Sequence, residues 1–235
     1  FQTALYTGGG DSSSVTFGGN SDLQLDWLWV KRRDSADNSK VFDTSRGIGS
    51  GSEPYLTTVS TEQEQSYGYL TSVNSDGFTW DTTDSSVGAS GNTYVAWGWK
   101  ANGGTETHSQ TETGTSLACS TQANSTALFS ITTYTGTGTA GDKITHGLGV
   151  VPQFHITKRR SGTENWLVYH HKNTAAPETD HLLLDTTDAT SDSDTRFNDT
   201  APTSTLITYG NNAVCNGDAS TYVNYAFAEV QGFSK

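Results

Sequence analysis

Thr93-Tyr94-Val95-Ala96-Trp97-Gly98-Trp99 and Thr221-Tyr222-Val223-Asn224-Tyr225-Ala226-Phe227 are two versions of one heptapeptide, 128 residues apart (221 against 93). In both, a large apolar series (Val95, Trp97, Trp99; Val223, Tyr225, Phe227) alternates with a smaller one (Ala96, Gly98; Asn224, Ala226). A period of two is the signature of a β-strand. The alternation predicts central strands of a sandwich, with the large residues filling the core and the small face letting a second layer approach. Tyr6-Thr7-Gly8-Gly9-Gly10 returns as Tyr134-Thr135-Gly136-Thr137-Gly138, at the same offset (134 against 6). Lys31-Arg32-Arg33 returns as Lys158-Arg159-Arg160 and Val41-Phe42 as Val168-Tyr169, both one residue shorter (158 against 31). Landmarks that keep order and register over this distance mean two copies of a unit of about a hundred residues.

The composition agrees with β-structure. The 235 residues include 38 Thr, 27 Ser and 25 Gly, and aromatics reach 11%. Thr and aromatics suit pleated, half-buried strands, and Gly with Asn and Asp suits the turns between them. That aromatic content also argues against disorder. A formal charge of −12 and a pI of about 4.7 exclude nucleic acid as an expected partner, because a binder must neutralise phosphates with clustered cations. No run approaches the roughly 20 apolar residues of a bilayer span, so membrane insertion is not expected. The chain contains no Met and opens on Phe1, which reads as a piece of a longer protein.

These observations predict an all-β chain of two tandem antiparallel β-sandwich (jelly-roll-like) repeat domains, residues 1–104 and 127–235. Residues 25–32 and 152–159 read as equivalent strands, with Trp27 and Trp29 facing inward in one copy and Phe154 and Ile156 in the other. Residues 105–126, rich in Thr, Ser and Gly and without a counterpart in either copy, read as a linker. The alternation around Leu117 and Cys119 is also compatible with one exposed strand.

Several linked motifs resemble a repeat of structural and fibre-type proteins of marine tailed bacteriophages, a poorly characterised family. They are Tyr-Thr-Gly-x-Gly at 134–138, His146-Gly147-Leu148-Gly149-Val150-Val151-Pro152, Ile156-Thr157-Lys158-Arg159-Arg160, Asn165-Trp166-Leu167-Val168-Tyr169-His170, Asn198-Asp199-Thr200-Ala201-Pro202-Thr203-Ser204 and the segment from Tyr222 to Lys235. The first copy is similar through Val30-Lys31-Arg32-Arg33, Asn74-Ser75-Asp76-Gly77-Phe78 and Thr93 to Lys100, but carries Phe17-Gly18-Gly19-Asn20 where the second has the His-Gly-Leu-Gly run. The resemblance implies a non-enzymatic component of the virion surface, a tail fibre or appendage segment. Its implied partners are other virion proteins, further copies of itself as a homotrimer, and a host surface glycan. A secreted carbohydrate-binding module and a fragment of a polysaccharide depolymerase are the alternatives.

No catalytic residue, metal ligand set or cofactor site is expected. The chain lacks a Gly-x-Ser-x-Gly elbow, a His-Glu-x-x-His pair, a phosphate loop and a dinucleotide fingerprint. His170-His171 would point to opposite faces of a strand, and the acidic stretch from Asp180 to Asp199 lacks EF-hand spacing. For sugar contact, Trp80 and Trp166 are the ligand-binding candidates, because at these offsets they align with Thr208 and Ser39 and the unit can do without them. Cys215 aligns with Val87, a small apolar position suited to a buried, unpaired thiol.

Overall fold

The computed structural model describes residues 1–49 and 51–231. The fold is all-β with several antiparallel sheets, and the two helices among the described residues are single turns. The chain divides into two compact units, one of Phe1–Val59 with Glu64–Gly104 and one of Ser60–Gln63 with Thr105–Lys235.

The first unit contains β1 (Gln2–Thr7), β2 (Ser13–Val15), β3 (Trp27–Arg32), β4 (Lys40–Asp43), β5 (Glu53–Thr57), β6 (Gln65–Tyr67), β7 (Leu70–Asn74), β8 (Gly77–Trp80) and β9 (Thr93–Trp99). They form a six-stranded sheet in the order β1-β9-β3-β4-β5-β6 and a three-stranded sheet β2-β8-β7. The second unit contains β10 (His108–Ser109), β11 (Cys119–Asn124), β12 (Phe129–Thr135), β13 (Asp142–Thr145), β14 (Phe154–Arg159), β15 (Leu167–His170), β16 (Asp180–Leu183), β17 (Ser191–Asp192), α1 (Asp194–Phe197), β18 (Leu206–Tyr209), α2 (Ala213–Asn216) and β19 (Thr221–Phe227). Its large sheet runs β10-β11-β12-β19-β14-β15-β16-β17, and β13 pairs with β18. The stretch β12-β19-β14-β15-β16 repeats β1-β9-β3-β4-β5 strand for strand.

Residues 105–126 correct the linker expectation. They supply β10 and β11, which extend the large sheet of the second unit, and Leu117 is fully buried in its core. The hydroxyls that make this segment look like a linker are used internally. Thr121 and Thr132 share a hydrogen bond of 2.8 Å, and both lie within reach of the Thr145 carbonyl, at 3.1 and 3.2 Å.

The strand period is as expected, but the core lies on the other face. In the first unit Leu28 and Val30 of β3, and Tyr94 and Ala96 of β9, pack with Phe78 and Trp80 of β8. Trp27 and Trp29 therefore point away from that core, as do Val95, Trp97 and Trp99, and the rings of Trp27, Trp29, Trp97 and Trp99 contact one another at 4.7–5.8 Å. The second unit does the same with Tyr222 and Ala226, and its Phe154 and Ile156 lie outside the core cluster. Small residues on the core side make physical sense, since the facing layer brings the bulk, and Phe17 packs directly over Gly98.

Both surface-aromatic expectations also fail. Trp80 is 0% exposed and Trp166 1%. Pairing register explains the first: Trp80 faces Ser13 on β2 as Tyr209 faces Asp142 on β13, so the true counterpart of Trp80 is Tyr209, another buried aromatic. Trp166 corresponds to Ser39, which is itself buried and hydrogen-bonded to Thr58.

What the two units share most closely is a pair of stacked tyrosines. Tyr6 and Tyr94 stack at 5.1 Å, and Tyr134 and Tyr222 at 5.0 Å. Tyr6 donates to the Val87 carbonyl at 2.7 Å, and Tyr134 to the Cys215 carbonyl at 2.6 Å. Tyr94 donates to Ser85 and accepts from the Ala89 amide, as Tyr222 donates to Ala213 and accepts from Gly217. The glycine after each Tyr-Thr pair is required by this clamp, because a Cβ on Gly8 or Gly136 would sit 2.2 or 2.5 Å from a carbonyl oxygen of the clamped segment. The Lys-Arg-Arg runs recur for the same kind of reason. Lys31 caps the Asp37 carbonyl at 2.7 Å and Lys158 the Glu164 carbonyl at 2.7 Å, and burial lowers Lys158 to a pKa of about 8.

Removing one clamp hydroxyl leaves a carbonyl unpaired, so Tyr6→Phe and Tyr134→Phe should each cost about 1–2 kcal/mol in denaturant unfolding. Trp80→Ala should cost about 3–5 kcal/mol, as expected of a buried aromatic. Little loss at Trp80 would contradict its place in the core.

Candidate functional site

Three of the places where the two units differ meet around one groove. The first is the added segment with β10 and β11. The second is His146-Gly147-Leu148-Gly149, which the first unit replaces with Phe17-Gly18-Gly19-Asn20. The third is the loop before β18, where the second unit has no strand equivalent to β7 among the described residues. Together they enclose about 480 Å³, with walls that include His108 and Glu112, Gly147 to Gly149, and Ser204 to Leu206.

The groove is anchored by a buried neutral histidine. The Leu148 amide donates to His146 Nδ1 at 3.3 Å, so the ring proton sits on Nε2, which donates to the Thr203 carbonyl at 3.2 Å. His146 thereby ties the glycine run to the loop before β18. Burial pushes its pKa down to about 4, with a smaller contribution in the same direction from His108. In the equivalent position the first unit buries Phe17, which fills its core and leaves no such tie. Gly147 has φ of +66°, and a Cβ there would come within 2.5 Å of His108 Nδ1. The bare backbone lets the His108 ring lie against the turn.

Beneath the sheet face a second polar set is purely internal. Asn224 donates to Thr157 at 3.0 Å and to Tyr209 at 3.1 Å, and Thr157 and Tyr209 share a bond of 2.7 Å. His155 stacks on Tyr169 with ring centroids 5.0 Å apart, and burial lowers its pKa to about 3. These groups are closed off from solvent and build no site.

The remaining sequence candidates are dispersed. His170 meets the Phe154 ring edge-on at 6.1 Å in the sheet, and the His171 amide bonds to the Gln153 carbonyl. The acidic stretch spends its carboxylates locally: Asp185 accepts from Trp166 and Asn165, and Asp180 from Thr174. Among the described residues no group of three or more His, Cys, Asp or Glu is placed to hold a metal ion. Cys119 and Cys215 are free thiols, and burial raises Cys215 to a pKa of about 12. Sequence reading missed the groove residues His108, Glu112 and Ser204. The available signal was the failed match between Phe17-Gly18-Gly19-Asn20 and His146-Gly147-Leu148-Gly149, which marks where the copies part.

A family profile described as a domain of unknown function, DUF7483, matches residues 1–235, and the chain belongs to that family. No curated protein and no solved structure matches it.

Because both buried histidines have folded pKa values below the ordinary 6.5, their contribution to stability is complete above about pH 6.5 and is lost as pH falls toward 4. Unfolding of the second unit should be easier by roughly 3 kcal/mol at pH 4 than at pH 7 from His146 alone. In NMR titration the His146 and His155 rings should stay neutral down to about pH 5. A ring that titrates near 6.5 would contradict its burial. Gly147→Ala should cost about 1–2 kcal/mol for the left-handed backbone alone, and should displace His108. Thermal denaturation and the His108 ring shifts check both.

Proposed function

We propose that this DUF7483 chain is a pair of tandem β-sandwich, jelly-roll-like repeats that works by architecture and adhesion, with the groove of the second unit as its contact site. The observation that carries the reading is the distribution of differences between the copies. The order of five strands and the tyrosine clamp stay the same while most side chains change, and three of the departures gather around one surface concavity. Duplicated scaffolds that keep a rigid frame and vary loops at one end commonly place recognition there.

The motif resemblance supports a tail fibre or surface appendage of a tailed bacteriophage as the setting. The chain would then sit on the virion surface, packed with other virion proteins and with copies of itself as a homotrimer. Fibre-like assemblies gain stability by burying protein surface around a symmetry axis. The groove also favours a second reading, a secreted carbohydrate-binding module, which shares the binding chemistry and differs in assembly.

Mass measurement of the parent protein together with immuno-electron microscopy of purified particles separates the two. A trimer located on virions is the expected result, and a monomer absent from particles would leave the secreted module.

A further inference from the structure

Resting on the reading of the groove as the contact site, we infer that its ligand is a neutral polyhydroxylated chain, a short stretch of glycan that binds by donating its hydroxyl protons. The inference follows from the groups that line the groove, among them His108 and Glu112. The Thr107 hydroxyl lies 3.2 Å from the Thr121 carbonyl, which the Thr107 amide reaches at 2.8 Å. It accepts from the Ala123 amide at 3.1 Å. Its contact with His108 Nδ1 is 2.8 Å, and either group can be the donor. His108 is thereby held in the wall of the groove with its Nδ1 engaged. Gly147, packed against the same ring, keeps it from turning away.

Glu112 adds a carboxylate to the lining, which only accepts when ionised. That carboxylate asks for hydrogen-bond donors, and the adaptable hydroxyls of Ser125, Ser204 and Thr205 can answer in either sense. Neither Lys nor Arg lines the groove, so an anion would meet a carboxylate and no counter-charge. A wholly apolar ligand would desolvate these polar groups without replacing their water bonds. Ala123, Leu148 and Leu206 supply apolar surface suited to the C–H faces of a sugar ring. A volume of about 480 Å³ is within the range of small-ligand sites.

The test is titration of the isotopically labelled intact chain, followed by amide NMR shifts. The probes are neutral oligosaccharides built from glucose, galactose, mannose, rhamnose and N-acetylglucosamine, with a sulfated heparin-derived tetrasaccharide and a lysine-containing tripeptide as charged counterparts. Saturable shifts at Thr113, Gly147 and Ser204 with a neutral sugar are expected. His108→Ala and Glu112→Gln should each weaken that binding roughly five- to tenfold with the remaining spectrum unchanged. Groove shifts caused only by a charged probe would overturn the ligand class and leave the groove as a contact site. Saturable sugar shifts elsewhere, with the groove unmoved, would overturn the groove reading itself. Absence of any saturable response to neutral sugars would overturn the inference as stated.

Discussion

A tyrosine hydroxyl reaching from β1 in one unit, and from its counterpart β12 in the other, to the turn before the last strand is the interaction on which the rest depends. Tyr6 and Tyr134 each stack on the tyrosine of the neighbouring strand and end on a backbone carbonyl 81 residues further along. In each unit that bond joins segments far apart in the chain across the core. It is worth only about 1 kcal/mol as a net hydrogen bond, yet loss of one partner inside the core exposes the full desolvation cost of the other. It also dictates the glycine that follows, because the clamped segment passes too close for a side chain. The Tyr-Thr-Gly landmark is therefore a packing requirement.

With the frame secured in this way, the second unit can carry additions that the first lacks. β11 pairs with β12 along its length, and a threonine pair fixes the end of β13 beneath it. On that base the glycine run and the loop before β18 are held together by one neutral imidazole. Exchanging Phe17 for His146 turns a hydrophobic plug into a polar tie, and the groove exists where the plug's surroundings would otherwise close. The polar tie is conditional on pH, whereas the phenylalanine is not.

The internal repeat, the strand positions and the register of the Lys-Arg-Arg runs were all legible from the amino acids. The core face was not. Trp97 and Trp99 look like core residues by size, but a core needs complementary volumes, and Phe17, Phe78 and Trp80 from the facing layer require Ala96 and Gly98 opposite them. Trp80 was misplaced because the offset is not constant along the unit, and at β8 its partner is Tyr209 and not Thr208. Trp166 was misplaced because a buried site can be filled by chemically unlike groups, here an indole in one copy and a serine bonded to Thr58 in the other. Thr121 reads as linker composition, and its burial depends on a hydroxyl partner eleven residues away. The groove was illegible for a simpler reason: His108, Gly147 and Ser204 come together only through the fold.

The central claim is that residues 105–126 are part of the second unit and build one wall of its site. Hydrogen exchange of the backbone amides tests it most directly. The account predicts that the amides of Thr121 to Asn124 exchange on the slow timescale of β14 and β19, since they belong to the same hydrogen-bonded sheet. Exchange of that segment at the rate of an unstructured chain, with β14 and β19 still protected, would contradict it and return the segment to a linker.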